Sequence, residues 1–204
     1  GIPRLEVRII PEQMIRIEML LNGELDLIRS GSISPEQIQY LERHPDITVR
    51  RANILRNFFL LMDARGRSGT EVFKRRKVRR AVNLAINRQR LVKDVLCGFA
   101  KVNHGAATPL HFGHEPDIRT YAYDPLRAQT LLAEAGYPDG FHVDFYVYRD
   151  ESVAEAVAQD LRAVGIRTRI RWMEGRLDQL IEKFRNGVIP FAFFTWGSYS
   201  IFDA

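Results

Sequence analysis

From Asp124 onward the chain alternates between two periodicities, and this constrains the fold more than any other feature. The segments "PLRAQTLLAEAG", "ESVAEAVAQDLRAVG" and "RLDQLIEKFRNG" repeat apolar residues at helical spacing, and between and after them run the strand-like "FHVDFYVYR", "IRTRIRWME" and "IPFAFFTW". A "YPDG" turn separates the first helix from the first strand. Strands joined through helices must return to the same edge, so this order predicts an α/β fold with a parallel or mixed sheet covered by helices.

The first half is less regular. "LEVRII" alternates like a half-buried strand, and Pro11 opens a helix whose stripe is Met14, Ile17, Leu20 and Leu21, closed by Asn22 and Gly23. A short strand "LDLI" follows, then Ser34 as the cap of "PEQIQYLERH", then the strand-like "DITVRRA" and "NFFLLMDA". Val78, Val82, Ala85 and Ile86 share one helical face, Asn87 reads as the cap of "RQRLVKDVL", and Gly98 ends it. Residues 101–122 read as a long loop rich in Pro, Gly and His. With 204 residues, 46% of them hydrophobic, there is material for a sizeable core, and no repeat or low-complexity tract divides it. The expectation is a single α/β lobe over 1–204, with "LEVRII" and "IPFAFFTW" in one sheet and both ends on one side. No apolar run approaches the roughly 18 residues of a membrane span. The chain opens at Gly1 inside an apparent strand, without an initiator Met, and is expected to be a piece of a longer protein.

Charge is concentrated rather than spread. Between Glu71 and Asp94 nine basic residues face two acidic ones, whereas the whole chain is only +5. Arg75, Arg76, Lys77, Arg79 and Arg80 crowd the start of a helix, where the dipole disfavours cations; they read first as a plain solvated face, with an anionic or acidic neighbour as the alternative. No helix-turn-helix, zinc finger or aromatic-interleaved RNA motif accompanies them, and nucleic acid is not expected as a partner.

Enzyme signatures are weak. Cys97 is the sole cysteine; His104, His111 and His114 lack ligand spacing; His114 with Glu115 makes no H-E-x-x-H. Neither a G-x-S-x-G elbow nor a phosphate loop is present, and Asp150 with Glu151 reads as the cap and first turn of a helix. Neither an enzyme nor a metal or cofactor is expected. A basic-faced module for an acidic partner and, more remotely, a hydrolase remain alternatives.

Two stretches, "VRRAVNLAINRQRLVKDVLCGFA" and "YAYDPLRAQTLLAEAGYPDGF", resemble the signature segments of the family 5 extracellular solute-binding proteins. The first carries Val78, Arg79, Ala81, Ala85, Ile86, Asn87 and Arg88 of that family's helix, and the second runs from Asp124-Pro125 through Glu134-Ala135-Gly136-Tyr137 to Asp139-Gly140-Phe141. "EQMIRIEMLLNGELDLI" is similar to the segment that begins the family's second lobe. The resemblance implies one lobe of a two-lobed periplasmic-binding-protein fold, the first lobe lying elsewhere in a longer chain. It implies a monomeric receptor, periplasmic or membrane-anchored outside a bacterium, that hands a small solute such as a peptide to the permease of an ATP-binding cassette importer. It also implies that "FAFFTWGSYSIFDA" is the strand and loop returning to the first lobe, with Trp196, Tyr199, Ser200 and Asp203 as candidate solute contacts and His111 and Phe112 as a second candidate wall. The family's loop pairs a carboxylate with the solute's amine at the position that Tyr199 holds here, so Asp203 takes that role or the solute has no amine there. Trp196 reads equally as a core aromatic, Asp203 more readily as a solvated hinge carboxylate, and His111 and Phe112 as loop surface.

Overall fold

The computed structural model describes residues 2–29, 33–118, 120–173 and 176–197, the side chain of Trp196 excepted. The chain divides into two compact units, Gly1–Ala52 and Asn53–Ala204.

The first unit holds two helices, α1 (Gln13–Leu21) and α2 (Pro35–Leu41). Ser34 caps α2 as its position predicts, accepting from the Gln37 backbone N–H at 3.4 Å, and its own N–H donates to Gln13 Oε1 at 3.1 Å. Ile17 and Leu41 are buried. The strand expected over "LEVRII" does not form, and Leu5, Val7 and Ile9 stay exposed. Nor do the expected strands "LDLI" and "DITVRRA". Alternation supplies an apolar face, but a strand also needs a neighbour for its N–H and C=O groups, and no described segment pairs with these.

The second unit is a four-stranded mixed sheet. It contains β1 (Arg56–Met62), a single 3₁₀ turn at Val72–Lys74, α3 (Arg76–Ala85), and α4 (Arg88–Arg90), which runs on into a π-helical turn at Leu91–Val95. Then follow α5 (Pro125–Glu134), β2 (Phe141–Val147), α6 (Glu151–Ala163), β3 (Ile166–Trp172), α7 (Leu177–Arg185) and β4 (Phe191–Gly197). The strand order is β1-β4-β2-β3, with β2 parallel to β3 and to β4, and β1 antiparallel to β4. Thus "IPFAFFTW" pairs with "NFFLLMDA" rather than sharing a sheet with "LEVRII".

One sheet face makes the main core. Val143, Phe145 and Val147 of β2, Ile166 of β3, and Phe191 and Phe193 of β4 are buried against Val78, Val82 and Ala85 of α3, Leu131 and Leu132 of α5, and Val157 and Leu161 of α6. Phe145 stacks on Phe191 with ring centres 4.6 Å apart. Burial of side chains this size contributes roughly 2–3 kcal/mol each. On the other face Ala192 packs with Leu180 and Ile189, and Tyr146 and Phe194 join them. The "YPDG" turn needs its glycine: Gly140 has φ +76°, and a Cβ there would sit 1.8 Å from the Gly165 carbonyl oxygen.

The crowded cations find their neighbour in α5. Lys77 Nζ pairs with Glu134 at 3.1 Å; Arg75 donates to the Ala135 carbonyl at 2.7 Å and lies over the Tyr137 ring. Arg79 donates to the carbonyls of Phe73 and Lys74. Hydrogen bonding to Lys77 holds the Glu134 carboxyl below its ordinary pKa, with Arg127 adding to the effect. Two of the five cations at the start of α3, Arg75 and Lys77, therefore clamp it to α5.

Candidate functional site

Because β2, β3 and β4 are parallel, their C-terminal ends meet at one sheet edge, joined by the N-terminal end of antiparallel β1. In open α/β sheets this is the edge at which ligands bind. Here it carries Tyr148, Arg149 and Asp150 after β2, Met173 after β3, Thr195 near the end of β4, and Asn57 on β1.

Their local geometry is specific. Tyr148 Oη and Thr195 Oγ1 form a short hydrogen bond that ties the exit of β2 to β4, and the Tyr148 ring packs on Phe194 at 5.7 Å. Met173 N–H donates to the Val147 carbonyl at 2.7 Å and carries the β2–β3 pairing one residue past β3. Asn57 pairs in register with the Trp196 backbone.

Asp150 departs from its expected role. It stands at the cap position of α6, yet its backbone is left-handed (φ 58°, ψ 55°) and its side chain makes no capping bond. A non-glycine residue so placed costs about 1–3 kcal/mol and persists where surrounding structure imposes it, commonly at ligand sites. Its carboxylate turns instead to Arg149, with Oδ2 2.8 Å from Nε. The angles do not make this a hydrogen bond, and both atoms are buried without a hydrogen-bond partner among the described residues. An opposite-charge pair with unused hydrogen-bonding capacity can exchange its contacts for those of a polar or zwitterionic solute.

The sequence-predicted residues fall unevenly on this frame. Trp196 lies on β4 at the edge, while Tyr199, Ser200 and Asp203 lie outside the described residues. His111 is buried, its Nδ1 accepting from the Thr108 N–H at 3.0 Å with the Thr108 hydroxyl 2.7 Å away, so this nitrogen is committed to the turn. Phe112 beside it is exposed. Tyr148, Arg149 and Thr195 carried no motif; the available signal was position, since "YRDE" follows a strand whose parallel neighbours could be inferred. Among the described residues no group of three or more His, Cys, Asp or Glu could hold a metal ion, and no described helix is long and apolar enough to cross a membrane.

Residues 2–203 match the model of the bacterial extracellular solute-binding proteins, family 5 middle. The glutathione-binding protein GsiB of Escherichia coli K12 is 30% identical over 181 residues, 85% of this chain and 34% of that protein; the Salmonella choleraesuis protein of the same name is 31% identical over the same length. Among solved structures, the periplasmic binding protein DppA from Helicobacter pylori, in complex with the peptide STSA, superposes with a TM-score of 0.80 at 27% identity, over 94% of this chain and 36% of that one. NikA from Brucella suis, in complex with Fe(III)-EDTA, gives a TM-score of 0.83 at 24% identity, over 95% and 41%. The chain belongs to the family 5 extracellular solute-binding proteins, and its fold is that of a periplasmic-binding-protein lobe. It spans about a third of the length of the curated relatives it matches, at 34%.

Proposed function

We propose that this chain supplies one wall of a solute-capturing cleft in a receptor for an ATP-binding cassette importer, working with the importer's permease in the periplasm or at the outer surface of a bacterial membrane as a monomer. The solute class is a small peptide, including glutathione-like ones. The observation that carries the reading is the Arg149–Asp150 pair: it offers both charges of a zwitterion's partner at the edge where parallel strands end. Named relatives point the same way, since GsiB is called glutathione-binding and DppA holds a peptide. Trp196, Tyr199, Ser200 and Asp203 belong to the same wall in this proposal, Asp203 serving a solute amine. His111 holds a turn, and Phe112 offers an apolar contact beside it. The other wall of the cleft, the first lobe, comes from the rest of the longer protein, and no bond-making chemistry is assigned to any of these residues.

The test is isothermal titration of the full-length protein with di- to pentapeptides, glutathione, and nickel or iron chelates. Micromolar or tighter binding of a peptide or glutathione, weakened about tenfold or more by Arg149→Ala, is the expected result. Binding of metal chelates alone, unchanged in Arg149→Ala, would overturn the peptide assignment.

A further inference from the structure

On the helix-covered side of β1 lies a cavity of about 690 Å³, a volume within the usual range for small-molecule sites. Its walls are chiefly apolar: Phe58, Leu60 and Phe193 from the sheet, Leu91, Val92 and Leu96 from the π-helical turn and the residue after it. Phe58 and Phe193 stack with centres 5.6 Å apart, Phe193 buried and Phe58 the exposed member of the pair. Opposite them the π turn is real in its hydrogen bonding, with Leu96 N–H donating five residues back to Leu91 O at 3.0 Å. Such widened turns shift the side chains that follow, and they concentrate at functional sites. A third wall, residues 100–106, is tied to β1 by an asparagine relay: Asn103 Nδ2 donates to Asn57 Oδ1 at 2.9 Å and to the Gly105 carbonyl at 2.7 Å, and Asn57 Nδ2 donates to Ala106 O.

The charge of the cavity is one-sided. Arg56, Arg88 and Lys101 line it, and no carboxylate does among the described lining residues. Arg88 is the informative one. Its guanidinium donates to the Asn83 carbonyl at 2.9 Å and to Asn83 Oδ1 at 3.0 Å, both neutral acceptors, and it has no carboxylate partner among the described residues. These bonds engage two of the five N–H groups a guanidinium carries. Burial pulls its pKa below the ordinary arginine value, the expected consequence of a cation withdrawn from water without an anion. Burying a charge unpaired is costly, so the arrangement favours an incoming anion over water.

We propose that this cavity is a second binding site, for an apolar monocarboxylate whose chain lies between Phe58 and the π-turn residues Val92 and Leu96 and whose carboxylate meets Arg88. The site is built within the second unit alone and does not depend on the cleft reading above.

The experiment uses the 204-residue chain, with octanoate as probe and octanol as its uncharged counterpart, followed by isothermal titration and by ligand-observed nuclear magnetic resonance. Octanoate is expected to bind about tenfold or more tightly than octanol, the gap a charge-assisted hydrogen bond supplies. Arg88→Gln is expected to erase that preference while octanol binding persists. Val92→Phe, which fills the cavity from the π turn, is expected to abolish octanoate binding in a protein of unchanged circular dichroism, and it decides the matter if Arg88→Gln does not fold. Equal binding of octanoate and octanol, or octanoate binding unaffected by Val92→Phe, would overturn the proposal. A chain that binds octanoate while the full-length protein ignores peptides leaves this site standing and removes the cleft assignment; the reverse result separates them the other way.

Discussion

Asp160 of α6 reaches across to the start of α4 with both carboxylate oxygens: Oδ1 pairs with Arg90 Nη2 at 2.8 Å, and Oδ2 accepts the Asn87 backbone N–H at 2.9 Å. Its side chain is 9% exposed, and Asn87 in turn caps α4 by accepting from the Arg90 N–H at 3.0 Å. One carboxylate therefore fixes the helix start from which the π turn is launched. Asp160→Ala leaves the Asn87 N–H without its acceptor and the half-buried Arg90 guanidinium without its anion, with only the Ala156 carbonyl at 3.3 Å still accepting from it. A loss of about 2–4 kcal/mol is expected, measured by urea unfolding, with Asp160→Asn losing less because it retains an acceptor.

Gly140 answers to a different constraint. A methyl group there collides with the Gly165 carbonyl, which receives the Phe141 N–H at 3.1 Å as β2 and β3 begin to pair. Gly140→Ala is expected to cost about 2 kcal/mol or more, combining positive φ with backbone displacement. Thermal melting should show a fall of several degrees, whereas the same change at Gly98, where a Cβ meets nothing within 4 Å, should cost only about 1 kcal/mol from positive φ.

Asp144 gives the protein an acid-sensitive contact. Its carboxylate takes Arg169 Nε at 2.6 Å and Arg171 Nε at 3.2 Å, and these hydrogen bonds, Arg169 first, depress its pKa. A carboxyl whose folded pKa is lowered contributes stability above the unfolded value, near 3.9, and loses that contribution as pH falls through the folded value. Arg169 and Arg171 are 68% and 43% exposed, so solvent screening keeps the contribution under about 1 kcal/mol. Asp144→Asn should therefore be slightly less stable than the parent at pH 7, with the difference fading as pH falls below the unfolded value and through the depressed folded one, and shrinking in molar salt.

If the cleft has two walls, one of them alone binds poorly. Titration of the 204-residue chain with di- to pentapeptides is expected to show nothing tighter than millimolar, about 4 kcal/mol short of micromolar binding by the full-length protein. Micromolar peptide affinity in the short chain would refute a shared cleft.

Much of the second unit could be read from periodicity, because α3, α5 and α6 carry helical apolar stripes and β2 alternates along its seven residues. Phe141, Val143, Phe145 and Val147 alternate and are all buried. "LEVRII" alternates equally well and forms no strand, since a pattern of side chains does not state whether a backbone partner exists. The basic run was legible as a charge anomaly but its resolution was not: Glu134 and the Ala135 carbonyl lie more than fifty residues away in sequence. Asp150 shows the complementary difficulty. Aspartate before a helix is a cap in most settings, and only the backbone dihedrals reveal that this one faces Arg149 instead. The candidate edge depended on three strands ending together, a property of topology that no short motif encodes.

The antiparallel seam between β1 and β4 also has a kinetic consequence. Leu61 pairs with Ala192 and Phe58 with Thr195, so the earliest strand of the unit waits for the last before either is completed. Closing so long a loop precedes any reward from the contacts it makes, which slows folding and leaves Phe58, Phe59, Leu60 and Leu61 unpaired meanwhile. During synthesis this hydrophobic segment emerges well ahead of its partner, making it the natural place for a chaperone to hold the chain and for aggregation to begin when none does.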